Sequence, residues 1–276
     1  MKKIILSLGF LLCINSWAGT WEGEGNWEET EKWKPNQLPA EYERILVESG
    51  ELILNEGTKL TGGLNIIAKN KSAILRINKN ASISNAKEKI ALTASGGRST
   101  ELIISGQLLS AQDIFIHSNK SKTLLDLCGG YLNCAGRLSI SGKFPENAVD
   151  ALRLSDQAVA NIASLRGNQL KHARIQIDNS KLYLGRMILY RSYVVFSVNR
   201  NSELWLQNPS YKQRSKWEVQ LNDGGKLIVK GQLTISSLSS KLRGILKVGK
   251  SAAMNDNIKV TYKKYNDQQY TVFTTK

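Results

Sequence analysis

Arg174-Ile175-Gln176-Ile177-Asp178-Asn179-Ser180-Lys181-Leu182-Tyr183-Leu184 is the stretch that decides the fold. Apolar residues alternate with polar ones up to Asp178-Asn179, and the alternation resumes after it. The same shape returns 22 residues on as Val195-Phe196-Ser197-Val198-Asn199-Arg200-Asn201-Ser202-Glu203-Leu204-Trp205-Leu206. It returns 23 residues after that as Trp217-Glu218-Val219-Gln220-Leu221-Asn222-Asp223-Gly224-Gly225-Lys226-Leu227-Ile228-Val229. Alternation with period two on both sides of a bend reads as two short strands. Asn, Asp and Gly at the bend tolerate the positive φ that such turns need.

Working outward, similar bends fall at residues 50, 80, 106, 129, 156, 179, 201, 224 and 249, at intervals of 22 to 30 that average about 25. An antiparallel sandwich varies its connections. A solenoid holds its period, because each coil stacks on the last with like positions in register. The pattern predicts an all-β chain: a right-handed, single-stranded parallel β-helix of about nine coils, roughly 40 Å long at the usual strand spacing. In this register the inward pairs are Ile175/Ile177, Phe196/Val198 and Val219/Leu221 before the bend, and Leu182/Leu184, Leu204/Leu206 and Leu227/Val229 after it. Each such side chain, once buried, contributes about 1.5–3 kcal/mol.

The chain has 276 residues, 41% hydrophobic and 22% charged, which excludes a disordered tail. Residues 1–18 read as a secretory signal: Lys2 and Lys3, an apolar run from Ile4 to Ile14, and Ser16-Trp17-Ala18 as a cleavage site. The run is too short to span a membrane, and Cys13 follows Leu12, where a lipid-attachment box wants a small residue. The formal charge is +15, and loss of 1–18 removes two lysines and no acid, leaving +13. A cation of this size outside a cell favours polyanions, although a soluble surface of scattered lysines is the plainer account.

Residues 20–44 carry Trp21, Trp27 and Trp33 with Gly23, Gly25, Pro35 and Pro39. The run Thr20-Trp21-Glu22-Gly23-Glu24-Gly25-Asn26-Trp27, followed by Trp33, Pro39 and the strand at Ile45, resembles the opening of secreted bacterial β-helix proteins. It also resembles the start of the G8 domain over about residues 20–68, departing from it at Glu41-Tyr42-Glu43, where that pattern has a Gly-Asp pair. The resemblance implies an extracellular β-helical protein, in a family some of whose members handle hyaluronan; it carries over no catalytic residue. The expected organisation is a signal over 1–18, a Trp-rich cap over 19–44, the β-helix over 45–250, and closing strands over 251–276, with a hairpin bent at Asn266-Asp267. A solenoid needs such caps, because its end strands present open edges.

Catalytic motifs are sparse. His117 and His172 are the two histidines, neither with a ligand partner at metal-binding spacing, and no nucleophile elbow, zinc motif or phosphate loop occurs. No metal, cofactor or nucleotide is expected. A glycosidase or lyase on this fold would need paired outward carboxylates; Asp156 and Asp178 come nearest, each at a bend where Asp also serves as a turn former. Asp113 and Asp126 have no matched neighbour. Cys128 and Cys134 flank Gly129-Gly130-Tyr131-Leu132-Asn133, and in an exported chain a disulfide stapling one turn is one expectation, a ladder inside one coil the other.

The outward row after the bend is the most informative surface. Tyr183, Trp205 and Ile228 should stack on successive coils and face out, beside a loop from Trp205 to Trp217 holding Tyr211, Lys212, Arg214 and Lys216. Rings beside cations suit an acidic sugar through stacking and cation–π contact; the alternative is a stripe covered by the loop or by a partner. Trp217 should point inward. The sequence therefore predicts a secreted or surface-held, non-catalytic solenoid that binds an acidic polysaccharide or envelope component through Tyr183, Trp205, Tyr211, Lys212, Arg214 and Lys216. The alternatives are a polysaccharide lyase or hydrolase and a purely structural rod.

Overall fold

The computed structural model describes residues 19–40, 42–68, 71–85, 88–145, 150–171, 173–211, 215–242 and 244–276. The expected signal segment, His172, Lys212 and Arg214 lie outside them. The chain is a parallel β-solenoid of about nine turns.

Three parallel ladders run along it. Face A holds the strands before each bend, such as Ala173–Ile177, Tyr193–Val198 and Lys216–Leu221. Face B holds the strands after it, 159–162, 181–184, 203–206 and Lys226–Lys230. Face C follows in the same long strands, as 164–168, 186–190 and 208–211. Two strands per coil were expected, so the third is a correction. Its alternation is short, and a glycine such as Gly185 sets it off from face B. At that corner a Cβ would press on the Ala163 carbonyl, 2.6 Å away.

The inward rows form as read. Ile175, Phe196, Val219 and Leu246 stack on face A, and Leu182, Leu204, Leu227 and Phe273 on face B; all are buried. Trp217 is fully buried. The bends at Asn80, Gly129, Asp156, Asn179, Asn201, Gly224 and Gly249 have positive φ. Gly50 does too, at +75°, but it sits at a different corner. The strand Ile45–Leu54 lies on face C over 45–47 and on face A over 50–54. The turn equivalent to Asn80 is therefore at Gly57 (φ +84°), 23 residues before it, and the long first interval disappears. Side-chain amides ladder at this corner: Asn78 donates to Asn55 (3.2 Å), Asn55 to Asn26 (3.0 Å), and Asn222 to Asn199 (3.0 Å).

Each end is closed by its own devices. At the start, Trp33–Lys34 pairs antiparallel with Gly19–Asn26. Trp21 and Trp27 meet the Trp33 ring edge-on at 5.2 and 4.7 Å, with Trp33 Nε1 donating to the Trp27 carbonyl. At the finish, Ser251–Ala252 covers face A and the antiparallel strand Gln268–Thr275 covers face B. The helix Ile235–Leu242 packs mainly on the last face A strand, Gly244–Val248, and also touches Glu203–Tyr211; it is started by a capping pair in which the Ser237 amide donates to Thr234 Oγ1 and the Thr234 amide to Ser237 Oγ. The expected hairpin is present: Ile258–Tyr265 pairs with Gln268–Thr275 through Asn266 and Asp267, both at positive φ. Among the described residues no helix is long and apolar enough to cross a membrane.

Candidate functional site

The outward row of face B has the predicted register: Asn161 pairs with Tyr183, Tyr183 with Trp205, and Trp205 with Ile228. Ile228 then pairs with Val272 of the returning hairpin. That last pairing changes the surface. Ile228, Tyr270 and Val272 are buried together, with Trp205 and Tyr265 packed on them. Trp205 meets the Tyr265 and Tyr270 rings edge-on at 4.9 and 5.6 Å and stacks on Tyr183 at 5.5 Å. The expected open platform of Tyr183, Trp205 and Ile228 is thus corrected. The hairpin supplies the next rung and its tip covers the row, leaving Tyr183 as the half-exposed end. The cover is this hairpin rather than the loop or a partner.

Polar groups hold the cluster. Trp205 Nε1 donates to Glu203 Oε2 (3.1 Å), and Gln207 Nε2 to the Tyr270 hydroxyl (2.9 Å). Glu203 lies 3.2 Å from Lys226 and 3.8 Å from Lys181. Burial works against its ionisation, but the Trp205 and Lys226 hydrogen bonds and both lysine charges hold its carboxyl below the usual range. Burial, with Glu203 nearby, pushes the Tyr183 phenol up.

The expected basic loop is mostly strand. Glu203–Tyr211 continues onto face C, where Tyr211 lies opposite Leu189. Lys216 opens the next face A strand opposite Tyr193, so it is separated from Trp205. Lys212 and Arg214 lie outside the described residues.

Face C carries the feature that sequence reading missed. Outward Arg166 pairs in register with Ile188, Arg186 with Asn208 and Asn168 with Tyr190. Arg191 lies 5.3 Å from the Tyr190 ring. Arg166, Arg186 and Arg191 make no ion pair among the described residues, whereas neighbouring Arg137 is tied to Asp113 at 2.6 Å. Tyr183 and Arg186 stand on one strand, on either side of Gly185. The signal was available in Arg186-Met187-Ile188-Leu189-Tyr190, an alternation too brief to register as a strand beside its longer neighbour.

Arg153 pairs with Asp126. Asp156 sits at φ +56° and accepts from the Cys128 thiol (3.0 Å), while the Asp178 carbonyl accepts from Ser180. No hydrogen bond or ion pair joins Asp156 to Asp178. The expected Cys128–Cys134 bridge is not formed: both are free. Cys134 points into the core and Cys128 outward to Asp156, so the thiols face apart. Burial pushes the Cys134 thiol up to about 11. His117 is exposed, its Nδ1 3.0 Å from Ser141 Oγ. Among the described residues no group of three or more His, Cys, Asp and Glu side chains could hold a metal. Comparison with known proteins finds no matching family model, no matching characterised protein and no matching solved structure.

Proposed function

We propose that this chain is an exported, non-catalytic β-solenoid that binds an acidic polysaccharide of the cell envelope or its surroundings. The binding face is the corner where face B meets face C. Tyr183 offers an aromatic surface, Arg166 and Arg186 offer guanidinium groups to carboxylate or sulfate, and Tyr190 with Arg191 extends the strip. Of the residues singled out from sequence, Tyr183 contacts the ligand, Trp205 supports Tyr183 from the next rung, and Tyr211 lies on a strand of face C, while Lys212 and Arg214 lie outside the described residues. Lys216 belongs elsewhere. The observation that carries the reading is two arginines, Arg166 and Arg186, set diagonally on adjacent rungs with no ion pair among the described residues, beside a tyrosine that ends an aromatic stack. The leader-like residues 1–18, the +13 left without them, and the resemblance of residues 20–68 to the G8 domain support an extracellular polyanion over an intracellular one.

The test is affinity electrophoresis through gels containing hyaluronan, polygalacturonate or chondroitin sulfate, near physiological salt. Retardation by at least one, relieved in Arg166→Ala/Arg186→Ala and reduced in Tyr183→Ala, is expected. Equal mobility in every gel, or retardation unchanged in these variants, overturns the proposal.

A further inference from the structure

The charge of the chain is not spread evenly along the solenoid. Residues 19–56, which form the first rungs, hold ten acids against three bases, net −7. Residues 226–276, which form the last rungs and closing hairpin, hold ten bases against two acids, net +8. Because chain order follows the solenoid axis, this sequence asymmetry becomes an acidic end and a basic end. The central residues 57–225 carry +12 over more than three times the length, so the basic density peaks at the finish.

At the acidic end Glu24, Glu28 and Glu31 are exposed and make no ion pair among the described residues. At the basic end Lys259, Lys263 and Lys264 stand exposed and equally unpaired on Ile258–Tyr265, the outermost strand of the hairpin. Among the described residues the ends also carry five of the seven exposed large apolar side chains: Leu38 and Tyr42 at the acidic end, and Ile245, Met254 and Tyr262 at the basic end. Met254 and Ile245 border an open cleft between the helix Ile235–Leu242 and the last face A strand. Each end thus combines exposed apolar side chains with a charge opposite to that of the other end.

We propose that copies of this chain associate head to tail, the acidic Trp-rich end of one docking on the basic hairpin end of the next. The two surfaces differ, so the contact is heterologous. Stacked along one axis it does not close, and it produces linear rods. Opposite charge steers the ends together and disfavours head-to-head and tail-to-tail encounters, while the apolar residues supply the desolvated contact. The binding corner of faces B and C stays on the side of the rod, so the proposal stands or falls independently of glycan binding.

The test is sedimentation velocity over a concentration series on the full-length protein, expressed with its leader, purified after export and its N-terminus read by mass spectrometry. Association that weakens ~10-fold or more when salt is raised well above physiological strength is expected. Two variants separate the ends: Glu24→Lys/Glu28→Lys/Glu31→Lys and Lys259→Glu/Lys263→Glu/Lys264→Glu, each checked for an unchanged melting temperature. Each alone should stay monomeric, because the changes cut the acidic end from −7 to −1 or the basic end from +8 to +2 and so remove most of the attraction. Mixed, they should form a 1:1 pair through the two unaltered ends and grow no further, and one chain carrying all six changes, its ends left at −1 and +2, should stay monomeric. A protein that is monomeric at every concentration, or assemblies that persist in either single-end variant, overturns the proposal. So does a mixture of the two variants that stays monomeric.

Discussion

The Tyr183 and Trp205 rings stack 5.5 Å apart with 28° between their planes, one rung above the other on the outer surface of face B. The contact is a direct consequence of coil spacing: equal turn lengths bring equivalent outward residues to adjacent rungs. Tyr265 and Tyr270 then approach Trp205 edge-on, an arrangement that favours the ring quadrupoles. One indole therefore couples the parallel body of the solenoid to its antiparallel closing hairpin.

Replacing that indole should loosen the hairpin before the body. Trp205→Ala removes the shared partner of three tyrosines and the donor to Glu203. A loss of about 2–4 kcal/mol is expected, the lower part of the range for buried aromatics because the ring is partly exposed. Hydrogen exchange should accelerate over 258–275 and stay slow on Tyr193–Val198. Uniform acceleration across both regions would show that the hairpin has no separate anchorage.

A second expectation concerns close approach between rungs. A Cβ on Gly106 would run into the Ala81 and Asn78 carbonyl oxygens of the coil below. Gly106 needs no positive φ, unlike the other bend residues, so the cost is steric alone. Gly106→Ala should lower stability by about 1–3 kcal/mol. Gly224→Ala, with nothing within 4 Å of its Cβ but φ at +84°, should cost about 1 kcal/mol through backbone strain. Urea midpoints compare the two; an unchanged midpoint for Gly106→Ala would mean the coils can part without penalty.

These positions also mark how far the sequence could be read. Rows such as Ile175, Phe196 and Val219 were legible because each strand shows its own alternation and the interval repeats. Gly50 misled, because alternation runs unbroken through the corner in Ile45–Leu54 and a glycine at positive φ looks the same at either corner. Face C was hidden because its strands continue from face B and are short. The cover over Ile228 was illegible for a different reason: Tyr265 and Tyr270 lie about forty residues downstream, and the hairpin that brings them back runs against the repeat. Periodicity reports contacts one coil away; it is silent about a segment that leaves the repeat and returns.

The free thiols give a chemical test. Asp156 accepts from Cys128 and, with burial, raises its pKa. A raised pKa means less thiolate at a given pH, and hence slower attack on a disulfide reagent. Asp156→Asn removes the negative acceptor while suiting the positive φ of that bend. Cys128 in this variant should label several-fold faster near pH 8, with Cys134 unreactive until unfolding. A titration that counts no accessible thiol in the native protein would restore the bridged alternative.

Glu218 sets the acid limit of one rung. It is 3% exposed by side chain, on the outer side of face A, and lies 2.9 Å from Lys247. Tyr193 donates its hydroxyl to Oε2 and Gln220 its amide to Oε1, each at 2.6 Å. Burial disfavours the carboxylate, yet these three donors outweigh it and hold the group below the ordinary glutamate value. A depressed carboxyl stabilises the fold fully above the unfolded pKa of about 4.3, and that contribution disappears as pH falls through the folded value. Glu218→Gln keeps the shape and removes the charge, leaving the Lys247 ammonium without its carboxylate. The expected loss is about 1–3 kcal/mol at pH 7, shrinking toward zero below about pH 4. Tyr193→Phe should reproduce part of it, since the phenol is one of the donors. Urea unfolding of wild type and both variants at neutral and acid pH reads the difference directly. If the gap between wild type and Glu218→Gln is the same at both pH values, the carboxylate is held by packing rather than by its charge.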